Sequence, residues 1–350
     1  MKIKIITIHN IPNFGSVFQT YALCQFLKES GYNDVEVVDY NPSYFKPHSL
    51  RTIAAMLLNL KSYIVRKHKF DSFIKQHIPL TNKTYRTLAE LKNANFDADI
   101  FIAGGDQLWN VYHECGKDDA YKMTFFKGKK MSYSTSMGQF DFSEKDLNDL
   151  ANKIRDFSSV SVRETSSVDL LNKVGIKATA CVDPVYLLSV YHYKNLLPPI
   201  EYKKYLLVYL VNPSELLERC IKYLSKKHNL EVILCSGFSK KCTCDKFIKS
   251  AGPDEIMNLI KHADIVLSSS FHATSFSLLF EIQFFTILPD AYTNERIVDL
   301  LKVRGLSERI ITESSDIETE LSKSIDYDSV FSYNDKIDAA KNYLLNKLKQ

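Results

Sequence analysis

Residues 1–30 read MKIKIITIHNIPNFGSVFQTYALCQFLKES. The short apolar run Lys2–Ile8 predicts a buried β-strand. Ser16–Ser30 predicts a helix, with a serine in first position that can cap it. Pro12 and Gly15 lie between the two elements and favour a turn. A strand, a turn and a helix in this order are typical of the first βα unit of a parallel sheet.

The same alternation of short apolar runs with amphipathic stretches continues along the chain. The stretch Asp183–Tyr205 contains prolines and little periodicity, and predicts a linker between domains. The runs predicted as further strands are Val35–Asp39, Asp99–Ala103, Lys130–Ser134, Ser159–Val162, Tyr205–Leu210, Glu231–Leu234, Ile265–Leu267 and Phe284–Leu288. The further predicted helices are Pro213–His228, Pro253–Lys261, one that starts near His272, and Asn334–Leu348.

These elements predict an α/β fold with two Rossmann-like domains facing a cleft. The predicted domains are residues 1–190 and 191–332, and a C-terminal helix over 333–350 is expected to pack back on the first domain. The ligand of such a fold binds in the cleft, near the carboxyl ends of the strands.

Composition and charge exclude several classes of protein. The 350 residues are 45% apolar and 25% charged, which is typical of a globular protein, and no run approaches the length of a membrane span. A net charge of +4 is too small for a typical nucleic-acid-binding protein, but it suits anionic small ligands or an anionic membrane surface. Seven scattered cysteines without a CxxC motif, and the absence of a signal peptide, predict reduced thiols in a cytoplasmic protein.

The first motif is the turn after the first strand. Asn13, Ser16 and Gln19 stand at the start of the helix, where backbone N–H groups are also available. These side chains can hydrogen-bond sugar hydroxyls, so they are candidate ligands of a sugar. The alternative is a capped turn without a ligand.

The second motif, Gly104–Asn110, follows another predicted strand. Its two glycines allow a close approach of the backbone to a ligand. Asp106, Gln107 and Asn110 add polar groups, and Trp109, the only tryptophan, can offer a flat face to a sugar. The alternative is a strand-end turn with the indole in the core.

The third motif is the apolar strand that ends in Arg163. The planar guanidinium fork matches a carboxylate or a phosphate, so this arginine is a candidate for binding an anionic ligand. The alternative is a structural ion pair with Glu164 or another acid.

The fourth motif, Ser268–Thr274, runs from a strand through a serine cluster into a helix. Serine hydroxyls and N–H groups at a helix start can bind an anion, which makes Ser269 and Ser270 candidate anion ligands. His272, in the first turn, can act as a general acid or base.

The fifth motif is a cation at the start of a predicted helix. Arg296 opens an amphipathic stretch, where the helix dipole disfavours positive charge unless an anion lies nearby. This arginine is therefore a candidate anion ligand.

Residues 50–70 are basic and strongly apolar, and predict one helix in the N-terminal half. One interpretation is a core helix with a solvated basic end. The other is a helix on an anionic membrane, which would place the protein on the inner face of the membrane as a peripheral protein.

Together these motifs resemble the polysaccharide pyruvyl transferase family. The resemblance covers roughly residues 1–310 and rests on segments in the right order. These segments are Asn13–Ser16 with Gln19–Leu23, Gly105–Asn110, Ser161–Glu164, Val182–Pro184 and Ser269–Thr274.

The resemblance implies a fold like that of the two-domain GT-B glycosyltransferases, with the donor held mainly by the C-terminal domain. It implies phosphoenolpyruvate as co-substrate and no metal or other cofactor. The reaction would place pyruvate as a ketal on a sugar of a surface-polysaccharide precursor, and a lipid-linked acceptor is compatible with the family. Arg163 and His272 match family residues that bind or act on the donor, and Asp106 would be a base or a sugar ligand. With this donor and acceptor, Ser269, Ser270 and Arg296 become further candidate donor ligands. The candidate ligands of the acceptor sugar are Asn13, Ser16, Gln19, Gln107, Trp109 and Asn110.

One departure from the family pattern concerns the serine cluster. Many members carry an arginine where this chain has Ser270, and Arg296 is the candidate substitute. The alternatives are a GT-B glycosyltransferase that uses a nucleotide sugar, and a non-catalytic glycan-binding relative.

Overall fold

The computed structural model describes residues 1–46, 49–138, 141–198, 203–209, 212–237, 240–288 and 295–350. The chain divides into two compact units. The first unit consists of Met1–Pro47, Ile74–Ser189 and Tyr333–Gln350, and the second of His48–Phe73 and Val190–Ser332.

Strands and helices alternate in both units. The strands are β1 (Lys2–Ile6), β2 (Asp34–Val37), β3 (Ile100–Ala103), β4 (Lys129–Ser132), β5 (Val160–Val162), β6 (Ala178–Ala180), β7 (Tyr205–Tyr209), β8 (Glu231–Cys235), β9 (Lys246–Ile248), β10 (Ile265–Ser268), β11 (Gln283–Ile287) and β12 (Ile310–Ile311). The helices are α1 (Phe14–Glu29), α2 (Leu50–Leu58), α3 (Leu60–His77), α4 (Leu88–Lys92), α5 (Glu114–Lys117), α6 (Glu144–Ile154), α7 (Thr165–Lys173), α8 (Val190–Lys194), α9 (Glu215–His228), α10 (Pro253–Lys261), α11 (Phe271–Leu279), α12 (Glu295–Val303), α13 (Ile317–Glu320) and α14 (Asn334–Lys349).

The sheet of the first unit is parallel, in the order β2-β1-β3-β4. The parallel pair β5-β6 continues it through bridges between Met131 and Ser159 and between Thr135 and Val162. Helix α1 packs most of its length into the core, since Phe14, Val17 and Phe18 are all fully enclosed. Because the order reverses between β1 and β3, the carboxyl ends of these two strands form a topological switch point, where such sheets bind ligands.

The second sheet is also parallel, in the order β12-β11-β10-β7-β8-β9. Numbered within the unit, this is the 3-2-1-4-5-6 order of a doubly wound sheet, with its switch point between β7 and β10. Every residue of these two strands is buried, as expected of parallel strands with helices on both faces. The predicted strand Tyr205–Leu210 agrees with β7 as far as Tyr209, and Leu210 lies outside the described residues.

Residues 50–70 differ from the prediction in two respects. They form two helices rather than one, because α2 ends in a turn at Asn59, whose carbonyl then accepts the first hydrogen bond of α3 from Tyr63 N at 2.9 Å. They also group with the second unit and not with the N-terminal half. An amphipathic pattern shows that a helix packs against something, but it does not show which domain provides the partner.

Two further findings concern the cysteines and the membrane. All seven cysteines are free thiols in the described part of the chain, and all but Cys244 are buried. None of the described helices combines the length and the apolar character that crossing a bilayer requires.

Candidate functional site

The switch point of the first unit brings two predicted motifs together. Thr7, just after β1, donates its hydroxyl to the carbonyl of Gly105 at 2.9 Å. Ser16, in the first turn of α1, donates to Asp106 Oδ2 at 2.5 Å. The turn after β1 and the loop after β3 are therefore hydrogen-bonded to each other at the carboxyl edge of the sheet.

Asp106 has a backbone conformation that side chains rarely adopt. Its φ is +77°, and its main-chain carbonyl accepts a hydrogen bond from Ser136 N at 2.8 Å. Its Oδ1 accepts from Gln107 N at 2.8 Å, and the side chain is mostly buried. Conformations of this kind cluster at functional sites, where the surrounding structure stabilises them. The geometry fixes one carboxylate at the switch point, beside a hydroxyl.

The other predicted residues of α1 support this turn. Asn13 caps the helix by accepting from Gly15 N at 3.0 Å. Gln19 is fully buried, and its amide nitrogen donates to the carbonyls of Ser16 at 2.9 Å and Ile8 at 3.2 Å. The amide of Gln19 thus holds the turn together, and a direct contact with a ligand stays a prediction.

The loop after β3 separates its polar residues from its tryptophan. Asn110 Nδ2 donates to Gln107 Oε1 at 2.7 Å. A Cβ added at Gly138, whose φ is +81°, would lie 2.3 Å from Asn110 Nδ2, so glycine is required there. The stacking role predicted for Trp109 is wrong in this conformation. Its indole is 0% exposed and packs against Phe157, and its Nε1 donates to a backbone carbonyl.

Arg163 forms a buried ion pair that the sequence motif does not identify. Its Nη2 lies 2.5 Å from Asp183 Oδ2, and the two side chains are only 4% and 0% exposed. Glu164, the neighbouring acid, instead accepts hydrogen bonds from Ser167 Oγ at 3.1 Å and Met137 N at 3.2 Å. This finding favours the structural alternative for Arg163. The signal in the sequence was the Asp-Pro step at 183–184, which begins a short 3-10 helix with Asp183 as its N-cap.

The serine cluster lies at the switch point of the second unit. Ser268, the last residue of β10, donates its hydroxyl to the carbonyl of Tyr209, the last residue of β7, at 2.7 Å. Ser269 donates to the carbonyl of Ile287 at 2.6 Å. Ser270 is the N-cap of α11 and accepts from Ala273 N at 3.4 Å. The cluster therefore joins three neighbouring strand ends to one helix start.

The structure also brings Arg296 to the start of α11. Its guanidinium carbon lies 5.6 Å above the ring of Phe271, a cation–π geometry. The ring of Phe271 makes an edge contact with the imidazole of His272, at 5.3 Å between centroids. His272 is 5% exposed. A cation, an imidazole and a capped helix start thus share one corner of the second unit, and their binding of a ligand stays a prediction.

A model of the polysaccharide pyruvyl transferase family matches residues 13–290. The chain belongs to this family. The match includes the residues named in the first four motifs, and the fifth motif, Arg296, lies beyond its end. No curated protein matches the chain.

Solved structures share the fold of this family member at low sequence identity. The UDP-GlcNAc 2-epimerase of Methanocaldococcus jannaschii, in complex with UDP-GlcNAc and UDP, is 13% identical with a TM-score of 0.56, over 99% of this chain and 100% of that one. A putative UDP-N-acetylglucosamine 2-epimerase from Listeria monocytogenes is 13% identical with a TM-score of 0.59, over 100% and 96%. The UDP-GlcNAc 2-epimerase of Neisseria meningitidis, bound to UDP-GlcNAc, is 12% identical with a TM-score of 0.55, over 99% of both chains. The predicted GT-B-like α/β fold is confirmed.

Proposed function

We propose that the protein transfers pyruvate from phosphoenolpyruvate to a sugar of a surface-polysaccharide precursor, as a ketal. The observation that carries the proposal is the corner of the second unit where Arg296, Phe271 and His272 lie together, in a chain that belongs to the pyruvyl transferase family. The corner offers a cation for an anionic donor and an imidazole for proton transfer.

The proposed reaction begins at the double bond of phosphoenolpyruvate. A proton is added to the methylene carbon of phosphoenolpyruvate, which becomes a methyl group, and the central carbon becomes electrophilic. A sugar hydroxyl then forms a C–O bond to that carbon, and the bond to the phosphate oxygen breaks. A second hydroxyl closes the ketal. Of the two hydroxyl protons, one balances the proton gained by the methyl group and the other leaves with phosphate. The reaction proposed here uses no metal or other cofactor.

In the second unit, Arg296 would bind an anionic group of the donor, helped by Ser269 and Ser270. Positive charge is needed because the donor carries both a carboxylate and a phosphate. His272 would deliver the proton to the methylene carbon or assist the departure of phosphate. Both are roles that an imidazole can fill near neutral pH.

In the first unit, Asp106 would accept the proton of the attacking hydroxyl. Its carboxylate is held by Ser16 and by the N–H of Gln107, so it is oriented before a substrate arrives. Asn13 and Asn110 would add hydrogen bonds to the acceptor sugar. We place Arg163 outside the donor site, because it forms a buried pair with Asp183.

We also propose that α2 and the start of α3 lie on an anionic membrane, where a lipid-linked acceptor would be found. Large apolar side chains are exposed there among the residues whose side chains the structure describes, namely Leu57, Leu58, Leu60 and Ile64. Lys61, Lys67 and His68 are exposed on the same segment. Apolar side chains flanked by cations are typical of helices that bind in the plane of an anionic bilayer.

The test is a thermal-shift comparison of phosphoenolpyruvate with UDP-sugars, followed by a phosphate-release assay with candidate sugar acceptors. We expect phosphoenolpyruvate to raise the melting temperature and phosphate release to depend on the acceptor. Stabilisation by UDP-sugars alone would support a nucleotide-sugar glycosyltransferase instead. Glycan binding without any release of phosphate would support a non-catalytic relative.

A further inference from the structure

Helix α3 is attached to the carboxyl edge of the second sheet. Lys249, just after β9, donates to Asn59 Oδ1 at 2.9 Å. Lys69 forms an ion pair with Glu255 in the first turn of α10 at 2.7 Å. A Cβ added at Gly252 would lie 2.9 Å from Lys69 Cβ, so the loop between β9 and α10 is in close contact with the helix. These contacts hold α3 beside the end of β9, at the carboxyl edge where doubly wound folds bind ligands.

Arg66 lies between these two attachments and faces the body of the unit. Its Nε is buried, and its guanidinium carbon lies 5.6 Å above the ring of Phe70, which is buried. The next residue, Lys67, has the opposite environment, because it is exposed and pairs with Asp71 one turn further on. Neighbouring positions of a helix point in different directions, so only one of these two cations can serve the sheet edge.

The positive charge of Arg66 affects the pKa values of the last residues of two strands. Burial raises the pKa of Tyr209, at the end of β7, and Arg66 partly opposes this effect. Burial also raises the pKa of Cys235, at the end of β8, to about 12, again with Arg66 as the opposing cation. The carbonyl of Tyr209 accepts the hydroxyl of Ser268. Arg66 is therefore on the side of the unit where β7 and β8 end, and the end of β7 is also the strand end that contacts the serine cluster.

We propose that Arg66 binds an anionic group of the donor, a phosphate or a carboxylate, at the switch point between β7 and β10. The inference rests on the proposed function in taking the anion to be that of phosphoenolpyruvate. A guanidinium suits this role, since it stays charged and can donate two parallel hydrogen bonds to either group. With Arg296 near the start of α11, the second unit would provide one arginine for each anionic end of the donor, in a family member that has Ser270 where others carry arginine.

The experiment compares wild type, Arg66→Gln, Arg66→Lys and the matched control Lys67→Gln. Affinities for phosphoenolpyruvate, UDP and inorganic phosphate are measured by calorimetry at two salt concentrations, and folding is checked by thermal melts. We expect Arg66→Gln to raise the dissociation constant of phosphoenolpyruvate about tenfold or more and to reduce its salt dependence. Arg66→Lys should lose less, because it keeps the charge. Lys67→Gln should bind like wild type.

The outcomes separate this inference from the proposed function. If wild type and a folded Arg66→Gln bind phosphoenolpyruvate with equal affinity, the role of Arg66 is overturned. The proposal that phosphoenolpyruvate is the donor would still stand. If wild type ignores phosphoenolpyruvate but binds UDP or phosphate, and Arg66→Gln weakens that binding, the donor is wrong and the anion site stands. Wild type that binds none of the three anions overturns the anion site. If Arg66→Gln fails to fold, Arg66→Met decides, because it removes the charge but keeps an apolar contact with Phe70, and unchanged affinity in that variant would overturn the role.

Discussion

Nη2 of Arg163 and Oδ2 of Asp183 lie 2.5 Å apart, and both side chains are enclosed by the first unit. Asp183 also caps a short 3-10 helix, with its Oδ1 accepting from Val185 N at 2.9 Å. The arginine at the end of β5 is thus tied to the segment where the chain leaves the first unit. A buried pair of this kind is costly to break, because removing one partner leaves the other charge without compensation.

We therefore predict that Arg163→Ala destabilises the protein more than it weakens donor binding. The free energy of unfolding should fall by about 3–5 kcal/mol, since a buried carboxylate loses its cation. Urea unfolding at neutral pH measures this change. The double variant Arg163→Met with Asp183→Asn removes both charges and should recover most of the loss. A stable Arg163→Ala that binds phosphoenolpyruvate tenfold more weakly would return this residue to the donor site.

Asp106→Asn tests the proposed base. Asparagine tolerates a positive φ and can still accept the hydroxyl of Ser16, so the loop should keep its structure. Turnover should fall roughly 100-fold or more, because an amide cannot take a proton. Ser16→Ala is the matched control, which removes the hydrogen bond but keeps the carboxylate, and should cost much less. Turnover is measured as phosphate release with saturating donor. Near-normal turnover of Asp106→Asn would show that Asp106 is a loop residue or a sugar ligand and not the base.

His272→Asn tests the proton transfer. The amide keeps hydrogen-bonding capacity but cannot exchange a proton near neutral pH, so turnover should drop roughly 100-fold or more while donor affinity changes little. Single-turnover phosphate release and calorimetry separate the two quantities. The control is His262→Asn, because His262 also belongs to the second unit, but its Nδ1 is hydrogen-bonded to the backbone carbonyl of Asn258. A matching loss in donor affinity would indicate that His272 binds the donor and does not transfer a proton.

Arg296 is predicted to supply the positive charge that many family members carry at the position of Ser270. Arg296→Ala should raise the dissociation constant of phosphoenolpyruvate about tenfold or more, since a charge-assisted contact is lost. Adding Ser270→Arg should restore part of the affinity, although the loss of the N-cap of α11 should lower stability by roughly 1 kcal/mol. The control is Lys302→Ala, because Lys302 is an exposed cation on the same helix as Arg296. Unchanged affinity in Arg296→Ala would rule out the compensation.

The sequence predicts local structure well because its signals are local. The strand, turn and helix of residues 1–30 follow from periodicity and turn residues, and the structure shows β1 and α1 there. The predicted cap is wrong, since the helix begins at Phe14 with Asn13 as its cap, and Ser16 lies in its first turn. The motif of Ser268–His272 likewise combines a strand end with a helix start, and its position at a switch point follows from the topology. Both motifs are contiguous, so no distant partner had to be known.

Features that depend on distant partners could not be predicted in this way. The burial of Trp109 depends on packing against Phe157, and hydropathy does not distinguish a core indole from one that stacks on a sugar. The direction of Arg66 depends on where α3 is attached, at Lys249 and Glu255. Neither contact leaves a periodic signal along the chain.

The membrane prediction changes once the side chains are placed. Lys69 pairs with Glu255 and Arg66 faces the body of the second unit, so these two cations are not available to a bilayer. The exposed cations on this segment include Lys61 and Lys67, and they accompany Leu58, which is 85% exposed. A membrane would therefore contact the end of α2 and the start of α3, not the whole segment 50–70.

We predict that the protein sediments with liposomes rich in anionic lipid, and that binding falls with added salt. Leu57→Asn with Leu58→Asn should abolish binding by removing the apolar contact, and Lys61→Glu with Lys67→Glu should weaken it, because each cation near such a surface contributes roughly 1 kcal/mol. The control is Phe331→Ser, because Phe331 is an exposed aromatic residue of the same unit that lies near Gly305, away from the segment tested. The soluble donor should bind all of these variants equally, so the membrane contact can be separated from the chemistry. If wild type stays in the supernatant at low salt with strongly anionic liposomes, the exposed leucines have another partner and the lipid-linked acceptor loses its support.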